Sequence, residues 1–383
     1  MEADDLPARL ISEMRSAAGV LRSAGSVLVI SHIDADGITA GSIASETLRR
    51  IGKKYTLRFV KSITDDIIAE INSSPEDAVW ICDLGSAYIS RFTRENVIIT
   101  DHHVPDPDWR SGQTSLMAFN TSFQLNPHLY GLDGSYEICG AGMTYFLSYV
   151  VDPANRDLAY LAIVGAIGDF QDDRECRLVG WNRVVLGDAV AAGDVEVSAG
   201  IRYFGRESRP LVKFLEYGDS PSVPGITGNE QECTELLSVL DIPLFREGRP
   251  RTWNDLDAGE KERLQNALTG ALGGDAGGLI GEIYSVTRYP PGSGMHDAKE
   301  FSTTLNSCGR YDDAETGARI CAGDPEAMKD AERHRREHRK NISSAMELIR
   351  SNHLMRTRSN LQYFDAGDAV RDTVVGIVAG MVL

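Results

Sequence analysis

The feature that most constrains this chain is an event repeated three times in its first hundred residues. A short aliphatic, largely β-branched run stops at acidic or imidazole side chains. VLVIS (residues 27–31) leads to His32, Asp34 and Asp36; AVWIC (78–82) leads to Asp83; NVIIT (96–100) leads to Asp101, His102 and His103. Runs that are apolar throughout suit strands buried on both faces, which is the situation in a parallel sheet covered by helices. Residues 37–51 carry Ile38, Ile43, Ala44, Leu48 and Ile51 at helical spacing and supply the first crossover. Further strands are expected at 55–60 and 116–120, and helices at 140–151 and 156–168. The fold class that follows is α/β, a doubly wound parallel sheet over residues 1–205.

After about residue 205 the texture changes. Residues 206–281 mix short helical stretches with Pro- and Gly-rich turns, so a smaller mixed α/β region is expected over 206–323, with a helix at 297–307. A long connecting helix opens on an Asp-Pro start signal at residue 324 and runs to about 353, within a connector assigned to 324–357. Its second half is amphipathic through Ile342, Ala345, Met346 and Ile349. Its first half is charged on every side, which predicts a span through solvent. Residues 358–383 form a last segment, in which 373–383 reads as an apolar strand running into a glycine-containing helix start.

Charge sets limits on partners. A formal net charge of −17 argues against non-specific duplex binding, which needs a basic face to displace counterions. Any nucleic-acid site must be local, with metal ions or a small basic patch reversing the field. The cluster Arg333, Arg335, Arg336, Arg339 and Lys340 is one such patch, although the interspersed Glu332 and Glu337 suit the solvated face of a helix equally well. Six scattered cysteines without a CxxC pair argue against a zinc ribbon or a disulfide framework and fit a reducing cytosol. No apolar run reaches the ~20 residues a bilayer span requires, and the first ten residues lack a leader pattern. A cytoplasmic location without membrane association is therefore expected.

In open parallel sheets ligands bind at the carboxyl ends of the strands, so side chains remote in sequence should meet in one crevice. Asp169, which closes the helical run AYLAIVGAIG, is a fourth contributor. Taken singly, each piece has a plainer use: Asp83 as a helix cap, HIDADG as a turn, Asp-His-His as a surface cluster. Together, four or more carboxylates in one crevice repel strongly, and cations must hold them. Oxygen and imidazole ligands without thiolate favour Mn²⁺ or Mg²⁺. The number of ligands exceeds the needs of one ion and suits two, ~3.5–4 Å apart, as in phosphodiester hydrolysis.

At this point the motifs resemble the DHH phosphoesterase superfamily and, within it, the archaeal type of RecJ-like single-strand exonucleases. The matching pieces are SHIDADGITA (31–40), WICDLGS (80–86), ITDHH (99–103) and GAIGDFQD (165–172). TLNSCGRY (304–311) is similar to the Asn-Ala-Ala-Gly-Arg signature of RecJ proteins, and DTVVGIVAGMVL (372–383) resembles the opening of their C-terminal substrate-binding domain. The resemblance implies a DHH domain at the N-terminus and roles at the matching positions. His32, Asp34, Asp36, Asp83, His102 and Asp169 would be the metal ligands, with Asp34 and Asp36 favouring different ions and Asp83 bridging. His103 would face the scissile phosphate, and Asp101 would orient the histidines. Arg310 and Asn306 would bind substrate, while Asp172 reads better as a turn residue. The family's Gly-Gly-Gly-His segment does not occur, so a truncated C-terminal domain is expected.

The activity so implied is a Mn²⁺- or Mg²⁺-dependent exonuclease using two ions on single-stranded DNA or RNA, with 5′ to 3′ polarity. A replication complex (GINS-like) is a further implied partner. Two other readings stay open: a small-substrate phosphodiesterase acting on short oligonucleotides or cyclic dinucleotides, and a RecJ-like replication scaffold with little activity.

Overall fold

The computed structural model describes residues 6–107, 122–273 and 277–382. Five parallel strands, β1 (Ser26–His32), β2 (Lys54–Val60), β3 (Ala78–Cys82), β4 (Val97–Thr100) and β5 (Phe123–Leu125), form one sheet in the order β2-β1-β3-β4-β5. The strand expected at 116–120 lies outside the described residues. Alternation along each strand divides its apolar side chains between two cores. Val27, Val29, Trp80, Cys82 and Ile98 enter the larger core, whereas Leu28, Ile30, Val79, Ile81 and Ile99 enter the smaller. Both faces are therefore covered, which is why the runs contain no polar alternation.

Helices α1 (Ala8–Ser23), α2 (Ala35–Arg50), α4 (Gly140–Val151) and α5 (Ala159–Gly168) fill the larger core, and α3 (Asp65–Ser73) covers the opposite face. The helix expected over 156–168 is divided: a 3₁₀ turn at Pro153–Leu158 precedes α5, because Pro153 follows the capping Asp152 and starts a separate turn. Next come α6 (Asn182–Ala191) and β6 (Val195–Ile201). A separate small core then forms around Tyr203, Phe214, Leu237, Trp253 and Leu264. It is carried by α7 (Leu211–Glu216), α8 (Glu230–Val239) and α9 (Ala258–Ala271), beside a two-residue ladder of β7 (Phe245–Arg246) and β8 (Arg249–Pro250). Strand β9 (Ile280–Val286) returns antiparallel to β6 and leads to α10 (Ala298–Arg310) and α11 (Ala314–Cys321), which pack on α2.

The long helix α12 (Pro325–Ser351) starts where the sequence indicates, with Asp324 accepting the Glu326 N–H at 2.9 Å. Its first half does not cross solvent. Ala327, Ala331, His334 and His338 form a buried seam at helical spacing against α10 and α11, and the Tyr311 ring lies 5.8 Å from His334 and 6.0 Å from His338. Two alanines and two histidines make a seam too weakly apolar to stand out among the surrounding charges. A hairpin of β10 (Arg356–Arg358) and β11 (Leu361–Tyr363) precedes α13 (Asp372–Val382). Where a strand running into a helix start was expected at 373–383, the chain is helical over Asp372–Val382. Val374 and Val378, one turn apart, bury against Ala345 and Ile349 of α12, so packing outweighs the strand preference of the valines.

Candidate metal centre

The carboxyl ends of β1, β3 and β4 meet the first turns of α2 and α4 and the last residue of α5. Asp34 serves two purposes: Oδ1 caps α2 by accepting the Gly37 N–H at 2.9 Å, and Oδ2 lies 2.9 Å from His32 Nδ1. Asp36 is buried in the first turn of α2, where its two oxygens accept the backbone N–H groups of Gly140 and Ala141 at 2.7 and 2.9 Å. These are the opening amides of α4, a natural seat for an anion.

Asp83 follows β3 directly. It is 1% exposed, adopts a left-handed φ of 61°, and among the described residues neither carboxylate oxygen has a hydrogen-bond partner. It does not cap a helix. A Cβ on Gly140 would fall 2.6 Å from Asp83 Oδ1 and 2.8 Å from its Cα, so only glycine lets α4 begin this close to the acid.

Asp101 gathers the histidines. Its Oδ1 accepts the backbone N–H of His102 and His103 at 2.8 and 3.1 Å and the Nδ1–H of His103 at 2.8 Å, while Oδ2 accepts the Ser86 N–H at 2.9 Å. His102 is turned by a second contact, Nδ1–H donating to the Gly134 carbonyl at 2.7 Å. Its Nε2 is then left 3.3 Å from Asp83 Oδ1 and 3.7 Å from both Asp36 Oδ2 and Asp169 Oδ2. An imidazole held through one nitrogen, with the other facing acids, is the arrangement of a metal-binding histidine. Asp169 is steadied by Gln171, whose Nε2 donates to Asp169 Oδ2 at 3.2 Å and to the Gly134 carbonyl at 2.8 Å; Asn182 in turn donates to Gln171 Oε1 at 2.6 Å.

Three sets of donor atoms result: His32, Asp34 and Asp83; Asp36, His102 and Asp169; and Asp83, His102 and His103. Asp83 and His102 each belong to two of them. Electrostatics follow from burial and crowding. Burial and the neighbouring Asp83 push Asp36 up to about 8, and burial with Asp36 raises Asp169 to about 6, His102 opposing both shifts. Burial works against charge on His32, yet Asp34 and Asp83 lift it to about 11, and His102 is likewise held well above its ordinary value by Asp83 and Asp36. Asp34 and Asp101 stay near 2 despite burial, because His32 and His103 respectively favour their ionised forms. The nearby thiols of Cys82 and Cys139 are pushed upward by burial, Cys82 to about 12, so neither offers a thiolate. The donor set is oxygen and imidazole, which suits a divalent cation such as Mn²⁺ or Mg²⁺ beside the Asp83 carboxylate.

The remaining expected residues lie on or near α10. Asn306 Oδ1 accepts the Ala35 N–H at 2.9 Å, so its oxygen braces the first turn of α2. A Cβ on Gly309 would lie 1.7 Å from the Ile33 carbonyl oxygen, which explains the glycine between Cys308 and Arg310. Arg310 is mostly covered, and among the described residues its side chain forms no ion pair; it feels the charge of Asp34. Asp172 lies in a turn, buried against Arg202 at 2.7 Å. Of the basic cluster on α12, Arg333 pairs with Asp330, Arg335 lies 3.6 Å from Glu300, and Arg336, Arg339 and Lys340 are exposed. Gly140, Gln171, Asn182 and Gly309 were not singled out in the sequence. Gly309 and Gln171 stand inside the motifs TLNSCGRY and GAIGDFQD, whereas Gly140 and Asn182 act only through tertiary neighbours.

The N-terminal domain model of the DHH family matches residues 26–166, and the DHH-CID domain model matches residues 203–272. The chain belongs to the DHH phosphoesterase superfamily, and its fold is RecJ-like. An uncharacterized protein of Methanocaldococcus jannaschii is 27% identical over 369 residues, covering 95% of this chain and 78% of that protein. Among solved structures, exonuclease RecJ bound to manganese superposes with a TM-score of 0.56 at 16% identity, over 100% of this chain and 79% of that one. CDC45 from Entamoeba histolytica gives 0.60 at 12% identity, over 89% and 73%. RecJ in complex with Mn²⁺ from Thermus thermophilus gives 0.51 at 16% identity, over 99% and 46%. At these identities the likeness is one of fold. Among the described residues, no helix is long and apolar enough to cross a membrane.

Proposed function

We propose that this protein is a Mn²⁺- or Mg²⁺-dependent phosphodiesterase that removes nucleotides from a free, expected 5′, end of single-stranded DNA or RNA. The observation that carries the reading is Asp83, a buried carboxylate with both oxygens unpartnered and donor groups on each side. His32 and Asp34 with Asp83 would hold one ion, and Asp36, His102 and Asp169 with Asp83 the other. Bound cations would neutralise the phosphate oxygens and lower the pKa of water. The chain's own residues do the positioning. Asp101 fixes the His103 ring through Nδ1 and leaves Nε2 available to a leaving oxygen, on a side chain that is 57% exposed. Arg310, which forms no ion pair among the described residues, would take a neighbouring phosphate.

A scaffold subunit of a replication complex is the alternative. Such a subunit would have no use for a buried, unpartnered acid with five further candidate ligands around it. The two readings separate in one assay, hydrolysis of 5′- and 3′-labelled single strands and of a dinucleotide with Mn²⁺, using the parent chain and Asp83→Ala. Release of mononucleotides from one end by the parent, lost in the variant, is the expected result. Turnover of the dinucleotide alone would redirect the proposal to a small substrate, and no turnover would favour the scaffold.

A further inference from the structure

The turn that carries Asp169 also carries an aromatic side chain that the reading above leaves unused. Phe170 is 68% exposed and adopts φ 57°, a conformation that bulky side chains rarely take. Its neighbours on both sides are fixed. Asp169 reaches to 3.7 Å from His102 Nε2, Gln171 is buried and bonded to Gly134 and Asn182, and Asp172 is buried against Arg202. The backbone around Phe170 is itself fully engaged, its N–H donating to Ile167 and its carbonyl accepting from Asp173. Nothing loose in the turn could let the ring fold back into a core. An aromatic residue is thus held outward, in a strained conformation, about 3.8 Å along the chain from a candidate metal ligand.

Two further observations give this rim the same character. Val104, one residue beyond His103, is 74% exposed. Arg174, on the same turn as Phe170, lies over the Tyr136 ring at 4.3 Å, and Tyr136 belongs to the loop whose Gly134 carbonyl orients His102. Apolar and planar groups therefore border a centre whose interior is wholly polar. A lone inorganic phosphate would gain nothing from such a border. A nucleotide has both parts, a phosphate for the ions and a flat base for the ring.

We propose that Phe170 is the stacking platform for the nucleobase next to the scissile phosphate, making it a positioning residue that selects nucleotide over simple phosphodiester substrates. The assignment rests on the nuclease reading, and the test separates the two. Affinity for a fluorescein-labelled twelve-nucleotide single strand is measured by anisotropy with Ca²⁺, so that no turnover is needed. Two strands are compared, one intact and one with abasic residues at the two terminal positions of each end.

Phe170→Ala should weaken binding of the intact strand roughly 5- to 100-fold and leave the abasic strand unaffected. Phe170→Trp should restore affinity. Phe170→Gly relieves the left-handed backbone, so it should melt at or above the parental temperature while binding as poorly as the alanine variant. That combination, more stable yet weaker, is not what a structural phenylalanine gives. Equal affinity of the parent and Phe170→Ala for the intact strand, an equal penalty on the abasic strand, or no strand binding by the parent would overturn the assignment. Absence of cleavage with Mn²⁺ by a parent that binds in this base-dependent way would instead overturn the nuclease reading alone.

Discussion

Filling the candidate centre with metal should expel protons, and the number follows from the groups around Asp83. In the metal-free protein at pH 7, Asp36 with its midpoint of about 8 holds about 0.9 of a proton, and Asp169 at about 6 holds about 0.1. His32, at about 11, holds about one, and His102, raised well above its ordinary value by Asp83 and Asp36, favours its protonated form as well. Asp34, near 2, is already ionised. Ligands must be deprotonated, so loading both ions at pH 7 should release about three protons. The sign is set by the raised values: each group keeps its proton to a higher pH than usual, the metal competes with that proton, and affinity climbs with pH. The count should approach four near pH 5, where Asp169 is also protonated, and fall toward two near pH 9, where Asp36 has ionised. Combined affinity for the two ions should therefore rise about a thousandfold per pH unit around neutrality. Mn²⁺ titration calorimetry in buffers of different ionisation enthalpy reads the proton count directly. Asp36→Asn should release about one proton fewer at pH 7. Fewer than one proton released by the parent, or a count that grows with pH, would refute the assignment of these groups as ligands.

Other substitutions probe separate links. His103→Ala should reduce turnover ~10²- to 10⁴-fold with Mn²⁺ stoichiometry unchanged, because its ring is proposed to act on the leaving group; loss of bound Mn²⁺ would make it a ligand instead. Arg202→Leu leaves the buried Asp172 with the more distant Lys299, 3.7 Å away, at a cost of up to about 3–5 kcal/mol in urea unfolding; a loss below about 1 kcal/mol would show the Arg202 pair to be dispensable. Val378→Asp should detach α13 from α12, exposing the small core at Ala345 and Ile349 to a fluorescent apolar dye while the metal stoichiometry stays at two. Saturating Mn²⁺ at a hundred times its dissociation constant should add about 2.7 kcal/mol of stability per occupied site, readable as a rise in Tm.

The sheet and the centre were legible in the sequence because both are written locally. A strand buried on two faces must be apolar at every position, and its carboxyl end must turn, so the acids after Ser31, Cys82 and Thr100 mark one edge of one sheet. Asp34 shows the limit of judging a residue by one role, since a single carboxylate caps α2 and faces His32. What stayed hidden depends on partners distant in the chain. Strands β6 and β9 contain Glu196, Ser198, Gly200, Gly281 and Glu282, so their pairing leaves little apolar signal. The buried seam of α12 uses alanine and histidine, and α13 is a helix only because α12 lies beneath it. Gln171 and Asn182 are ordinary polar residues until the fold brings Gln171 to the Gly134 carbonyl and Asn182 to Gln171.

The hydrogen bond from the Ala35 N–H to Asn306 has a consequence for the order of events at the ribosome. Every candidate ligand, from His32 to Asp169, has emerged before α9 is translated, whereas the helix that braces the Asp34–Asp36 turn comes far later. At ordinary elongation speeds the interval from Asp169 to Asn306 lasts roughly ten to thirty seconds. During that time neither Asn306 nor Gly309 lies against the Ile33–Ala35 backbone, and the larger core lacks Phe301, Leu305 and Cys308. The turn that carries Asp34 and Asp36 therefore takes its final shape only after α10 has been made, long after every candidate ligand has left the ribosome.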